Sequence, residues 1–333
     1  MHQLNLSNIT RLGVLGTLLL GAAACKKDQD TAVAAAPTQI TFTQANLYPE
    51  GVQYDNQSSR FLVSSQTMGR IGQVHDDGTY TTFADDPQLI STIGLNLDAA
   101  NSRLLVAVSD PGYNTARSTA ATLRKLAAVA VFSGAGAKTA YVDLGGLRPA
   151  LSHFANDIAV DGNSNIYVTD SYAPIIYKID TQGTASVFLE NAALSAPAGK
   201  FGLNGIVYHP SGFLIVAKSD EGALIKVPLA NPAAFTKVTA TGLDLSNDDG
   251  LQLIDNSTLL VSCNAQGQVY RLASPDNFGS VSRTGSFATG AVYPTTMARR
   301  NGTDSYVLGS YLNALQAMQT PPVSQFSITK VNF

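Results

Sequence analysis

Four residues, Glu50, Asn156, Asn204 and Asp249, offer oxygen donors at the heads of similar apolar segments, "EGVQY", "NDIAV", "NGIVY" and "DGLQL". Two carboxylates brought to one point repel unless a proton or a cation lies between them. An oxygen-only set of carboxylates and amides suits a hard ion. Ca2+ accepts such donors, with water, in a flexible shell of about 6 to 8 ligands. Mg2+, Mn2+ and Zn2+ remain as other divalent ions, Zn2+ being disfavoured by the lack of His and Cys. The competing reading is that Asn and Asp merely cap turns before strands. That accounts for Asn156 or Asp249 singly, but Glu is not a turn residue, and it gives no reason for a shared register.

The register comes from a repeat. With Ile93 and Thr295, the heads fall 43, 63, 48, 45 and 46 residues apart. Each copy reads as an apolar strand, a polar turn, a second strand, a third, and a weaker fourth. Four short antiparallel strands at a period near 45 predict an all-β fold, a six-bladed β-propeller of four-stranded antiparallel blades. A pair of β-sandwiches, the alternative, would not keep a constant period. The long interval holds an insertion, Pro111 to Lys125, between the second and third strands of blade 2. The segment "QITFTQ" at 39–44 is expected to join "SQFSITKV" in the last blade and close the ring, leaving no open edge. First strands line the channel of a propeller, so their heads converge at one end of the axis.

The chain has 333 residues, a net charge of −3 and no Lys/Arg cluster, which excludes a nucleic-acid surface. Leu12 to Ala24 is an apolar run of thirteen residues after Arg11. It is too short to span a bilayer, which takes about 20 residues, and fits a secretory signal. The organisation expected is a signal peptide over 1–24, a lipidated Cys25 with a flexible tether over 25–37, and one propeller over 38–333. "AAAC" resembles the lipobox of bacterial lipoproteins, with Ala22 where Leu is more usual. "KKDQD" resembles an acidic-after-lysine signal for surface export. These resemblances imply an exported protein held on a bacterial membrane, at the outer membrane or cell surface, by a lipid on Cys25. Cys263 is then alone and reads as a small buried hydrophobe.

The motifs around the four heads resemble the group of six-bladed propellers that includes regucalcin (senescence marker protein), gluconolactonase and luciferin-regenerating enzyme. The resemblance covers roughly residues 45 to 310. The family's metal-binding Glu, the Asn of its Asn-Asp pair, the Asn of Asn-Gly and the Asp of Asp-Gly match Glu50, Asn156, Asn204 and Asp249. It implies a Ca2+-dependent hydrolysis of a lactone or related ester by a monomeric protein. Two departures bear on the substrate. Phe154 stands where sugar-lactone members carry Arg, and Tyr48-Pro49 stands where a glycine is usual.

In such a site Asp249 is the expected proton acceptor, with Asp248 as the alternative. His153, three positions before Asn156, is a second acid–base candidate. Asp170 and Asp248 are expected to support the ligands from behind. Tyr113, Arg117 and Arg124 of the insertion are placed as a lid that selects substrate. His209, in "YHPSG", is expected to be structural. The alternative to an enzyme is a surface lipoprotein that binds a ligand or partner through the propeller, with a structural Ca2+.

Overall fold

An aspartate at the end of an inner strand makes the first turn of several hairpins. Asp161 Oδ1 accepts the backbone N–H groups of Asn163 and Asn165, both at 2.9 Å. Asp55 does the same for Gln57 and Ser58, and Asp255 for Ser257 and Thr258. These side chains satisfy amides that a tight turn leaves without a ladder partner. In blade 4 His209 takes that place. Its Nδ1 accepts from Ser211 N, its Nε2 lies 2.9 Å from the Asn256 carbonyl, and its ring stacks on Phe213.

The computed structural model describes residues 35–333, and the compact unit runs Pro37–Phe333. The signal run, Cys25 and most of the tether lie outside the described residues. Twenty-four strands form six four-stranded antiparallel sheets, the six-bladed propeller expected from the repeat. From the axis outward, blade 1 is Val52–Asp55, Arg60–Val63, Arg70–Val74 and Tyr80–Asp85. Blade 2 is Ser91–Asp98, Arg103–Ser109, Ala127–Ser133 and Lys138–Asp143. Blade 3 begins at Ala155–Val160, blade 4 at Leu203–His209, blade 5 at Asp248–Leu253 and blade 6 at Pro294–Arg300. The weakest outer strand is Thr236–Lys237 of blade 4. Gln39–Thr43 pairs with Gln325–Lys330, so the N-terminal strand completes the last blade and closes the ring.

Six apolar clusters fill the six junctions between blades. Each middle strand is buried on both faces and feeds two of them. Leu104, Val106 and Val108 pack toward blade 1, while Leu105 and Ala107 pack toward blade 3. That is why "RLLVAVS" is a continuous apolar run and not an alternating one. Cys263 belongs to the junction of blades 4 and 5, and burial, with nearby carboxylates, pushes its thiol well above the ordinary range. Among the described residues no helix is long and apolar enough to cross a membrane.

The inner strands share one irregularity. The first strands of blades 2 to 6 each carry a bulge, covering Ile93-Gly94, Asn156-Asp157, Asn204-Gly205, Asp249-Gly250 and Thr295-Thr296. A bulge turns one side chain out of the alternation of its strand. Here it falls on the head residue in each blade. In three blades the next residue is glycine, and its packing explains why. A Cβ on Gly205 would lie 2.2 Å from the Asp249 carbonyl oxygen, and one on Gly250 would lie 2.7 Å from that of Thr295. The bulge of one blade passes directly beneath the head of the next.

Candidate metal centre and substrate cavity

Glu50, Asn156, Asn204 and Asp249 line one cavity of about 650 Å3 at the end of the channel, and all four are nearly fully buried. Ile93 and Thr295, the other two heads, are completely buried and do not line it. A second ring of residues orients the four. Asn156 Nδ2 donates to Ser171 Oγ at 2.9 Å, and Asn204 Nδ2 donates to Ser219 Oγ at 3.0 Å. Both hydroxyls spend their own protons on the next blade, Ser171 on the Leu203 carbonyl at 2.6 Å and Ser219 on that of Asp248. Each serine can therefore only accept from the asparagine, which fixes the amide with its oxygen turned away. Asn264 Oδ1 is occupied by the Ala265 amide, so its Nδ2 donates to Asp249 Oδ2 at 3.0 Å. Gln66 Nε2 donates to Glu50 Oε2. The sequence reading missed this ring. Ser171, Ser219 and Asn264 stand fifteen residues after their partners and Gln66 sixteen, and that constant offset was the available signal.

Once these donors are assigned, Asn204 Oδ1 and Asp249 Oδ1 are buried without a hydrogen-bond partner. Orphaned buried oxygens cost free energy unless something meets them. Burial raises Glu50 well above the carboxylate range, the Asp249 and Asp157 charges raise it further, and the Gln66 hydrogen bond opposes them. Burial pushes Asp249 up to about 7 against the Asn264 hydrogen bond. Asp157, beside Asn156, is pushed up to about 6 by burial although Ile158 N and Ile206 N donate to it. Such carboxyls call for a proton or a cation. Among the described residues no three His, Cys, Asp or Glu side chains gather as a metal cluster. The set here contains only two carboxylates, and its remaining oxygens are amide. This donor set fits a hard divalent cation.

The other candidates are distributed differently. His153 is buried within blade 3, with Nδ1 2.7 Å from Asp170 Oδ2 and Nε2 2.9 Å from the Arg148 carbonyl. Both ring nitrogens are engaged and the ring does not line the cavity, so it is a structural residue and not an acid–base group. Asp170 makes no hydrogen bond to any of the four heads. Its Oδ1 accepts from the backbone of Phe154, Tyr172 and Ala173, and so it builds the cavity wall. Asp248 is completely buried with both carboxylate oxygens unpartnered, and it does not line the cavity. Of the proposed lid only Tyr113 reaches the cavity. Arg117 instead binds the carbonyls of Gly69, Asp86 and Leu89 and the Asp85 carboxylate, stitching the insertion to blade 1. Arg124 stacks on the Tyr172 ring at 4.7 Å.

No family model and no curated protein matches the sequence. Solved structures do. The major allergen Mala s 1 of Malassezia sympodialis superposes with a TM-score of 0.69 at 20% identity, covering 90% of this chain and 97% of its own. A gluconolactonase from Xanthomonas campestris superposes with a TM-score of 0.60 at 15% identity, covering 88% and 89%. A luciferin-regenerating enzyme does so with a TM-score of 0.58 at 10% identity, covering 89% and 97%. At these identities the likeness is one of fold. The group of propellers that the sequence resembles is thus represented among the structures that share this chain's fold.

Proposed function

We propose that this chain is a divalent-metal-dependent hydrolase of a lactone or related ester, with Ca2+ held by Glu50, Asn156, Asn204 and Asp249. The observation that carries the reading is the pair of orphaned buried oxygens on Asn204 and Asp249, inside a set whose amide nitrogens and one oxygen of each carboxylate already have partners. A cation bound there supplies Lewis acidity toward a carbonyl and a site for water.

The chain's own residues supply the rest. Asp249 is the proton acceptor for the attacking water, since it lines the cavity and Asp248 does not. Asn264 donates to Oδ2 and fixes the orientation of that carboxylate. Tyr113 and Tyr293 line the same cavity with their phenols kept protonated. Burial raises both, Tyr113 with help from the Glu50 charge and Tyr293, up to about 12, with help from Asp249. Neutral phenols can donate to substrate oxygens. Leu312 and Leu315, on the short helix Leu312–Gln316, give the cavity an apolar wall on one side.

The N-terminal pattern supports export and anchoring through a lipid on Cys25. For the activity, the purified protein should hydrolyse esters or lactones, lose that activity to a chelator and regain it with Ca2+. Absence of hydrolysis with every divalent ion, while Ca2+ still raises the melting temperature, would leave the ligand-binding lipoprotein instead.

A further inference from the structure

Resting on the hydrolase reading, we infer that the substrate carries an aromatic or bulky apolar body, seated on Phe154, Tyr172 and Phe201. The three rings form a triangle with centroids 5.2, 5.3 and 5.4 Å apart, next to Asn156. They come from three places in the chain. Phe154 immediately precedes the inner strand of blade 3, Tyr172 follows that blade's second strand, and Phe201 lies on the loop into blade 4. One buried carboxylate sets two of them, because Asp170 Oδ1 accepts from Phe154 N at 2.8 Å and Tyr172 N at 3.0 Å. Arg124, itself outside the cavity lining, stacks on Tyr172 and steadies that ring.

The charged lining is already committed. Of its four carboxylates, Glu50 and Asp249 are those proposed to hold Ca2+, and Asp220 and Glu221 are paired with Lys218 and Lys237. Buried Lys218 is held by Asp220 at 2.7 Å and does not face the cavity. No guanidinium lines the cavity as a fork for a carboxylate or phosphate. A polyhydroxylated ring is mismatched to the rings themselves. Hydroxyls laid against their faces would lose water without a partner. A flat or branched apolar group gains there what a sugar loses. The cavity volume of about 650 Å3 suits a ligand of that kind.

The test pairs binding with turnover. Titration calorimetry would compare a neutral phenyl-substituted lactam, a non-hydrolysable lactone mimic, with a polyhydroxylated lactam of the same ring size. Hydrolysis would be followed for the corresponding phenyl lactone and for glucono-δ-lactone. The phenyl compounds should bind and turn over about tenfold better or more, and Phe201→Ala should remove about a factor of ten from phenyl-lactam affinity. If Phe201→Ala fails to fold, Phe201→Leu and the wild-type contrast carry the same reading. Equal or better use of the hydroxylated pair, or affinity unchanged by the Phe201 substitutions, overturns the aromatic seat while leaving the hydrolase intact. The binding contrast without hydrolysis under any divalent ion supports the seat and overturns the hydrolase.

Discussion

Asn156 gives its side-chain amide to Ser171, and Ser171 passes its own proton to the Leu203 carbonyl of the neighbouring blade. Asn204 and Ser219 repeat the pattern one blade on. A hydroxyl committed in this way discriminates between the two ends of an asparagine amide. It decides that oxygen, and not nitrogen, is offered toward the proposed ion.

Removing that decision should weaken the site without removing any ligand. Ser219→Ala leaves Asn204 free to rotate its amide, and Ca2+ affinity by calorimetry should fall about tenfold or more, the scale seen when groups that orient metal ligands are lost. Circular dichroism should stay unchanged. Wild-type affinity in this variant would show that the serine is incidental.

The glycine after the ligand should be sensitive for a separate reason. In Gly205→Ala the new methyl meets the Asp249 carbonyl oxygen and the Leu251 amide, both backbone atoms with little room to yield. Overpacking of this kind costs about 1–3 kcal/mol. A lower midpoint in urea unfolding measures it, and a shift of under ~0.5 kcal/mol would mean the blades separate easily.

His153 gives the fold a pH dependence. Burial lowers its affinity for a proton, but the hydrogen bond and charge of Asp170, with the Arg148 carbonyl, outweigh that and leave it raised above 6.5. The folded protein thus binds this proton more tightly than the unfolded chain does. The resulting stability is fully present below about pH 6.5 and is lost as pH rises through the higher folded value. His153→Gln should flatten the fall in unfolding free energy over that window. Buried carboxylates titrate in both proteins, so the difference between the two curves is the measurement, and parallel curves would refute the assignment.

The ligand column was legible in the sequence because one residue type class recurred at one register, with a glycine behind it in three blades. The structure adds the reason for that glycine, a neighbouring carbonyl that no single-chain pattern displays. Ser171, Ser219, Asn264 and Gln66 escaped notice because they differ in type and meet their partners across a hairpin. His153 shows the opposite failure. Three residues from Asn156 it reads as a rim residue, yet Asp170 from the next strand draws it inside. Arg117 likewise looks like a lid cation until three carbonyls of blade 1 are seen to claim it. The aromatic seat could be read only in part, since Phe154 stood out but Phe201 is brought to it by the junction of two blades.

Glu50, the earliest of the four ligands in the chain, has its carbonyl held by the hydroxyls of Thr295 and Thr296 in the last blade, each at 2.8 Å. The start of the proposed site is therefore latched by the blade that closes the ring. A ring without that blade would leave the Glu50 carbonyl without either hydroxyl. If the proposed ion is held there, its affinity reports closure of the circle as much as the four side chains themselves.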